Sequence, residues 1–309
     1  MLPCELDGQS DAQPHLRSWL ALFAVWIFWG TTYLGIRVAL ESFPPALLLG
    51  LRFTISGSVL LAASPLLKMK IPGGAEARRT IFCGFLTLGI GTGCLCLAEQ
   101  WVPSGLAALF ITTSPFWMLG VDAIIPGGDR FHKPVLWGML IGLCGTLLLV
   151  MPIGSAAGLD LRSGKLTLGF VVLQFGNIAW CIGSIMQRRA PNTVHPIMSG
   201  AVQQIATGLV FLIPSLFIYG PTAHWDLKGA LAILYLATFG SIIGYSAYLY
   251  SLDTLPVAIV TTYNYVNPVV AVILGWLFYR EPLGWREMAA MTIIFLGVAI
   301  VRHVQSAHR

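Results

Sequence analysis

Ten apolar segments follow one another along this chain, and each is long enough to cross a bilayer, which takes roughly 20 residues. A membrane-spanning strand takes about 10 residues and alternates apolar with polar side chains, a pattern that these segments lack. We therefore predict helices, which satisfy their backbone hydrogen bonds internally within lipid. The segments are 17–40, 45–66, 78–99, 103–125, 133–151, 166–188, 194–219, 228–252, 255–279 and 283–301.

The composition agrees with a multi-pass membrane protein. Only 10% of the 309 residues are charged and 56% are hydrophobic, whereas a soluble protein is about 25% charged. The net charge of +5 comes from a few basic residues sorted by loop, so a nucleic-acid partner is not expected. Most cysteines fall within apolar segments and are interpreted as packing residues. Neither a cofactor nor a metal site is predicted.

Orientation follows from the positions of Lys and Arg, which favour the cytoplasmic side. With the N-terminus inside, eleven of these residues fall in inner tails and loops and five in outer loops. We therefore predict that both termini are cytoplasmic. Residues 1–16 and 302–309 are predicted cytoplasmic tails, and the first segment is too long for the apolar region of a cleavable signal peptide.

Several residues recur at an offset of about 150, which indicates an internal repeat. Trp29 and Trp180 are 151 residues apart, and so are Pro45 and Pro196. The chain therefore divides into a first repeat at 17–152, an external linker at 153–165 and a second repeat at 166–301. Because each repeat holds five helices, the second enters the membrane from the opposite side. The predicted fold is all-α and integral to the membrane, with ten transmembrane helices as two inverted five-helix repeats, an architecture typical of secondary transporters.

A polar stretch, 263–268, interrupts the ninth segment with two tyrosines, Asn264, Asn267 and a proline. Buried polar groups need partners, and at membrane depth they usually face a bundle interior or a wet cavity. Asn264 and Asn267 share a helix face, so both are predicted to bind substrate, whereas Tyr263 is expected to point away from that face. A kinked helix whose asparagines bond to neighbouring helices also fits.

The repeat counterpart of this stretch is 112–115, where Thr112 and Thr113 precede a proline. Two proline-broken helices are therefore expected to face each other near the midplane. Other polar and aromatic side chains share faces with them, although Thr hydroxyls often only bond back to the preceding turn and Trp rings also simply pack. The remaining substrate-binding candidates are Trp29, Thr32, Tyr33, Asn177, Trp180, Ser184 and Tyr248.

This predicted lining is uncharged and aromatic, which suits zwitterionic or amphipathic small molecules and does not suit phosphate esters. Charged residues near the segment ends are gating or coupling candidates: Arg37 and Glu99 at the outer side, and Arg188 at the inner side. Each arginine also fits snorkelling at its surface, and Glu99 fits a gate, a proton-coupling carboxyl or a surface residue. Arg52, inside the second segment, is expected to have a structural role.

Short motifs spread through the chain resemble one family. They are 29–33 (WGTTY), 51–53 (LRF), 102–108 (VPSGLAA), 265–271 (YVNPVVA) and 281–283 (EPL). Together they resemble the drug/metabolite transporter superfamily and, within it, the inner-membrane exporters of the EamA family. The resemblance implies a ten-helix transporter with a central cavity lined by helices 1, 3, 4, 6, 8 and 9, with helices 5 and 10 peripheral. Characterised exporters of the family move amino acids, other metabolites or drugs.

We therefore predict a secondary transporter of the inner (plasma) membrane that exports small molecules by alternating access. An intramembrane enzyme is the rival of a different class, but the six histidines lie in tails, loops or segment ends. A channel or sensor with the same bundle is a third alternative. The expected partners are a small-molecule substrate and the lipid bilayer, with proton coupling and either a monomer or a homodimer left open.

Overall fold

The computed structural model describes residues 16–102, 104–124, 133–150, 164–191, 193–219, 225–279 and 284–307. Several predictions fall outside these ranges. They concern the N-terminal tail as far as residue 15, Pro103, the linker as far as residue 163, the motif at 281–283 and the last two residues.

The described residues form helices joined by short turns, which confirms the helical class. Most of their bounds lie within a few residues of the ends of the predicted apolar segments. The length of the apolar run and the turn residues that follow it determine where each helix ends. The helices are α1 (Leu16–Leu40), α2 (Pro45–Ala63), α3 (Gly74–Ala98), α4 (Ser104–Ile111), α5 (Ser114–Ile124), α6 (Lys133–Val150), α7 (Gly164–Arg189), α8 (Pro196–Tyr219), α9 (Leu227–Thr254), α10 (Val257–Val260), α11 (Tyr263–Tyr279) and α12 (Trp285–Ala307).

Six of the helices in the described ranges are long and apolar enough to cross a membrane: α1, α2, α3, α7, α8 and α9. Two predicted segments are each divided into a pair of helices, α4 with α5 and α10 with α11. The last helix continues to Ala307, past the predicted end at Val301, because the residues from 302 to 307 include no glycine or proline to stop it. The total of ten membrane crossings stays a prediction.

Helices α3 and α9 each contain a π-helical segment, in which the backbone hydrogen bonds span five residues. The segments are Phe85–Thr92 and Leu236–Tyr245. They begin 151 residues apart, which is the offset between Trp29 and Trp180. The repeat that the sequence indicates is therefore also present in the local backbone geometry.

Helix packing pairs equivalent elements of the two halves. Helix α2 packs along α8, and α6 packs along α12. Likewise α1 contacts the π-helical part of α9, while α7 contacts the π-helical part of α3. Exchanging the halves reproduces this pattern, so the centre of the bundle is an interface between them.

Glycines allow the α2–α8 pair to approach closely. A Cβ atom on Gly57 would lie 2.4 Å from the Ile205 backbone nitrogen, and one on Gly208 would lie 2.4 Å from the Thr54 nitrogen. These distances are well inside van der Waals contact, so any side chain there would force the helices apart. Small residues serve this purpose in membrane helix pairs.

Many large apolar side chains are exposed on the surface, and polar groups are buried among the apolar side chains of the interior. Phe23, Phe175 and Phe217 are exposed, while Thr32, Asn177 and Asn267 are buried. Exposed apolar surface on this scale marks a membrane-facing protein. The buried polar groups therefore define where a site would lie.

Candidate functional site

A cavity lies at the centre of the bundle, between the two halves. Inside it, the volume open to the centres of water-sized molecules is about 90 Å³. The total empty volume, including the open mouth, is about 740 Å³. Its walls come from α1, α2, α3, α4, α5, α7, α9 and α11. Helices α6 and α12, the fifth and tenth of the predicted set, contribute no described wall residue. The second helix, which the resemblance does not place at the cavity, does line it.

Six of the substrate-binding candidates lie on the cavity wall: Trp29, Thr32, Tyr33, Asn177, Trp180 and Asn267. They come from α1, α7 and α11, so both halves of the chain contribute. The other five candidates are not among the lining residues. They are Thr112, Thr113, Ser184, Tyr248 and Asn264.

A cluster of five aromatic rings lies at the cavity, and all of them except Tyr248 line it. This aromatic floor consists of Trp29, Trp180, Tyr245, Tyr248 and Tyr263. The Trp29 ring lies 5.5 Å from Trp180 and 5.0 Å from both Tyr248 and Tyr263, measured between ring centroids. Tyr245 lies 6.1 Å from Trp180. Aromatic rings at 4.5–7 Å attract one another beyond the effect of buried area, so the five rings form one contiguous layer.

Hydrogen bonds fix the orientation of the floor. The Trp29 indole donates to the Gly240 carbonyl at 3.0 Å, and the Trp180 indole donates to the Tyr248 hydroxyl at 3.2 Å. The Tyr248 hydroxyl donates in turn to Ser184 Oγ at 2.8 Å. Ser184 therefore holds the floor from behind.

The Tyr245 ring is also anchored through its hydroxyl. This hydroxyl donates to Gln203 Oε1 at 2.6 Å and lies 3.0 Å from Thr87 Oγ1. Tyr245 was not among the substrate-binding candidates. Its position against Trp180 depends on the π-helical segment that ends at Tyr245, and that segment leaves no clear sequence signal.

The break between α4 and α5 joins the cavity wall to α7. Thr113 Oγ1 donates to Gln174 Oε1 at 2.9 Å, and Ser114 Oγ donates to Asn177 Oδ1 at 2.6 Å. Ser114 lines the cavity and Thr113 does not. Thr112 is fully buried. The predicted proline break is present here, with Pro115 in the first turn of α5.

The corresponding break lies at Thr261–Thr262, between α10 and α11, and Pro268 lies inside α11. Both threonine hydroxyls donate to carbonyls three residues earlier. The Asn264 amide donates to the Thr261 carbonyl at 3.1 Å. These local hydrogen bonds use carbonyl groups at the break and just before it. Pro268 has no N–H group, so it leaves free the carbonyl four residues earlier, at Asn264. The break therefore lies about one turn before that free carbonyl.

This break changes which side chains reach the cavity. Tyr263 lines it, contrary to the expectation that it points away, whereas Asn264 turns back to its own backbone. The Asn264 Oδ1 atom is buried without a hydrogen-bond partner. Asn267 lines the cavity, and its amide nitrogen, in the orientation that satisfies the network, donates to the Tyr263 and Trp26 carbonyls at 3.1 Å each.

The predicted outer gating residues lie near each other but form no ion pair within 4 Å. Arg37 is exposed at the end of α1. Glu99 follows α3, and both of its carboxyl oxygens are buried without a hydrogen-bond partner. Arg37 is close enough to Glu99 to act on it electrostatically, and Glu99 is in turn close enough to act on the Tyr33 hydroxyl. The carboxyl oxygens are therefore enclosed, which disfavours the surface residue among the three alternatives for Glu99.

At the other end of the bundle, the guanidinium of Arg188 donates to the Leu255 carbonyl at 2.9 Å. The neighbouring Arg189 forms an ion pair with Asp122 at 2.5 Å, which ties α7 to α5. Asp122 is 1% exposed. Sequence reasoning did not select this pair, although an acid inside an apolar segment signals that a partner is needed.

Arg52 lines the cavity, so the wall is not uncharged as the sequence suggested. Its side chain is buried, and its guanidinium carbon lies 5.1 Å from the Phe53 ring. Nε donates to Ser241 Oγ at 2.8 Å, and Nη1 is buried without a hydrogen-bond partner. The available signal was a single arginine within an apolar run, but its direction depends on how the helices pack.

Comparison with known proteins identifies the family of the chain. The model of the EamA-like transporter family matches residues 16–151 and again residues 167–302. The chain belongs to the EamA-like transporter family. The "Uncharacterized inner membrane transporter YedA" of Escherichia coli K12 is 38% identical over 284 residues, which cover 91% of this chain and 89% of that protein.

More distant members of the EamA-like transporter family carry efflux names. The "Probable amino-acid metabolite efflux pump" of Salmonella typhimurium LT2 is 26% identical, with 91% of this chain and 93% of that protein covered. A solved crystal structure shares the fold at a TM-score of 0.77 and 21% identity, over 94% of this chain and 98% of that one. The relatives are named as transporters, and the chain is a membrane transporter and not an enzyme.

Proposed function

We propose that the protein is a secondary transporter that exports small metabolites, amino acids or drugs by alternating access, with the central cavity as its binding site. The observation that carries this proposal is the aromatic floor. Both halves of the chain contribute rings to it, and four of its five rings line a cavity that also has polar groups on its wall. A site at the interface of two repeats is the place where their relative movement changes access.

The proposed architecture is ten transmembrane helices in two inverted repeats, at 17–152 and 166–301, with an external linker between them. The two ranges matched by the family model and the two π-helical segments 151 residues apart support this division. The name of the Escherichia coli relative supports location in the inner membrane. The distribution of Lys and Arg supports cytoplasmic termini.

In that orientation the aromatic floor lies towards the cytoplasm, and the cavity extends along α1 from Trp29 to Ile36, towards the external side. The proposed external gate is Arg37 with Glu99. The proposed cytoplasmic closure is the floor, with Arg188 and the Asp122–Arg189 pair beyond it. Closing the first while opening the second would move a solute across without a continuous pore.

We propose that the six wall residues contact substrate directly and that the five residues behind them hold these contacts in place. Asn267 is the sharpest test, because it lies on the wall and its amide bridges α1 and α11. Cells that overproduce the protein are grown with a panel of amino acids and toxic analogues. Rescue by the wild type should be lost with Asn267→Ala and retained with Thr292→Ala, an exposed position on α12.

Unchanged rescue by the Asn267→Ala variant, at equal protein levels in the membrane, would count against this site. Counterflow of labelled substrate in proteoliposomes then separates a carrier from a channel. In vesicles preloaded with unlabelled substrate, a carrier accumulates labelled substrate by exchange, whereas a channel only lets it equilibrate.

Crosslinking tests the external gate. Arg37→Cys and Glu99→Cys are combined in a background without the native cysteines and are oxidised in membranes. Transport should stop when the crosslink forms and recover on reduction, while each single-cysteine variant is unaffected by oxidation. Full turnover with the crosslink in place would overturn the gate.

The enclosed Glu99 carboxyl also favours proton coupling as a second candidate function, because its oxygens have no hydrogen-bond partner. In proteoliposomes an imposed pH gradient should drive uptake by the wild type. With Glu99→Gln the same gradient should have no effect, while exchange of labelled for unlabelled substrate continues. Gradient-driven uptake by Glu99→Gln would assign Glu99 to the gate alone.

A further inference from the structure

Arg52 is an incompletely partnered charge at the cavity. The residue is 5% exposed. Its Nε is satisfied by Ser241, whereas Nη1 is buried and has no hydrogen-bond partner. Within the described part of the chain, no carboxylate lies within ion-pairing distance of it. The Cys96 thiol is close enough to act on it, but a thiol is uncharged at neutral pH and offers no compensation.

Burying the Arg52 guanidinium without a counter-charge costs free energy unless a ligand supplies that charge. A buried charge normally has both an opposite charge and hydrogen-bond partners. The guanidinium presents its donors as a rigid planar fork that matches a carboxylate with two parallel bonds. One donor of Arg52 is already used to hold the group in place through Ser241, which leaves the others for a ligand.

A glycine beside the Arg52 guanidinium leaves room for that group at the cavity wall. A Cβ atom on Gly240 would lie 2.8 Å from Arg52 Nη2 and 2.9 Å from Thr32 Cγ2. Glycine at position 240 therefore permits the guanidinium to lie between α1 and α9. The same Gly240 accepts the hydrogen bond from Trp29, so the cation and the aromatic floor are set by one backbone segment.

The rest of the wall is aromatic, with Trp29, Trp180 and Tyr263 beside the polar groups of Thr32 and Asn177. These rings suit the apolar or aromatic part of a solute. A single cation balances one negative charge. A phosphate ester carries about −1.5 to −2 at neutral pH and would need more cations than the described wall provides.

We infer that Arg52 is the anion anchor of the transport site and that the substrate is a small amphipathic molecule with one carboxylate. The carboxylate accepts hydrogen bonds from the guanidinium, and the apolar remainder lies against the aromatic floor. This inference rests on the proposed transport function, since it assigns a substrate class to that same cavity.

Three probes of one shape test this site in the purified protein in lipid nanodiscs. They are 3-phenylpropionate, which carries only the carboxylate, L-phenylalanine, which is a zwitterion, and L-phenylalaninamide, which carries only the ammonium group. Binding is followed by the fluorescence of the cavity tryptophans. The two carboxylates should bind at least about tenfold more tightly than the amide, because bonds to charged groups are the stronger ones.

The preference should collapse to about onefold in Arg52→Gln and persist in part in Arg52→Lys. A ratio between two ligands in one protein sample is unaffected by partial loss of folded material. Arg78→Gln, an exposed arginine on α3, serves as the matched control and should keep the wild-type preference.

Equal affinity of the three probes for the wild type, no binding of either carboxylate, or an unchanged preference in Arg52→Gln would each overturn the anion site. Counterflow measurements separate this from failure of the transport proposal. Transport of the amide without carboxylate binding leaves the transporter and removes the anchor. Arg52-dependent carboxylate binding without any counterflow leaves the anchor and removes the transport function.

Discussion

The indole rings of Trp29 and Trp180 meet edge to face at the centre of the bundle, with their centroids 5.5 Å apart. The two residues are 151 positions apart and occupy equivalent places in the two halves. Each also contacts Tyr248. The contact between these two rings is therefore a contact between one half of the chain and the other, as the proposed closure of the cavity requires.

Truncating Trp180 should impair transport. Trp180→Ala removes the edge-to-face contact with Trp29 and the hydrogen bond to Tyr248. Aromatic pairs contribute about 0.5–1.5 kcal/mol and hydrogen bonds a similar amount, so a loss of about tenfold in the initial transport rate is expected. Trp180→Phe keeps an aromatic ring but lacks the indole N–H donor. Its initial transport rate should therefore lie between those of the wild type and Trp180→Ala.

The matched control is Trp137→Ala on α6, where the side chain is 65% exposed. Initial rates are measured in proteoliposomes at equal protein content. Equal rates for Trp180→Ala and Trp137→Ala would show that the floor does not control access.

The helices were predictable from hydropathy because an apolar run of about 20 residues has few alternatives in lipid. The ends of the helices were predicted less accurately, because they depend on the residues of the following turns. Helix α2 stops at Ala63 because Ser64–Lys68 forms a turn with Lys68 at a φ of +52°. The π-helical segments were not predictable, since nearly all of their residues are apolar or small and there is no clear apolar face whose rotation would show an extra residue.

The site was predictable only as far as the repeat allowed. Pairing equivalent positions brought Trp29 and Trp180 to the centre, where the structure has them. Helical periodicity then failed at Tyr263 and Asn264, because the break at Thr261–Thr262 resets the direction of the following helix. Arg52 was interpreted as structural, since sequence alone does not show which side of α2 faces the cavity.

A methyl group at Gly57 should destabilise the protein. The new Cβ would lie 2.4 Å from the Ile205 backbone nitrogen, which has no freedom to move aside. Overpacking of this kind costs about 1–3 kcal/mol, which outweighs the gain of up to about 1 kcal/mol from replacing glycine in a helix. The measurement is the midpoint of thermal unfolding in detergent.

Gly120→Ala is the control, because a Cβ there meets nothing within 4 Å. It should leave the midpoint unchanged or raise it slightly. A Gly57→Ala midpoint as high as that of Gly120→Ala would contradict the tight α2–α8 contact.

Acid should weaken the cap of α9. The Gly229 amide and the Ser42 hydroxyl donate to Asp226 Oδ1 at 2.9 Å and 2.8 Å, and these bonds hold the pKa of that carboxyl below its ordinary value. The folded pKa is thus the lower one. The stabilisation is complete above the unfolded pKa of about 3.9 and is lost as pH falls through the folded pKa.

The difference in unfolding midpoint between wild type and Asp226→Ala should therefore be constant from pH 7 to pH 5 and shrink below about pH 4. Asp226→Asn keeps the accepting oxygen without a titrating proton. Its difference from Asp226→Ala should not change with pH. A wild-type difference that persists at the lowest pH would show that the charge of Asp226 does not matter.

Breaking the Asp122–Arg189 pair should destabilise the protein by more than breaking an exposed pair does. Asp122 is 1% exposed and Arg189 is 23% exposed, and removing one partner of a buried pair costs about 3–5 kcal/mol. Because Arg189 is partly exposed, the lower end of that range is expected. A double-mutant cycle with Asp122→Ala and Arg189→Ala measures the coupling, which should exceed about 1 kcal/mol.

The pair of Lys228 with Glu41 provides the comparison. Its nitrogen and oxygen are also 2.5 Å apart, but the side chains are 60% and 57% exposed. Solvent screening limits such a pair to about 0–1 kcal/mol. The same cycle there should give a coupling near zero, and equal coupling in the two cycles would mean that burial does not strengthen the bond between α5 and α7.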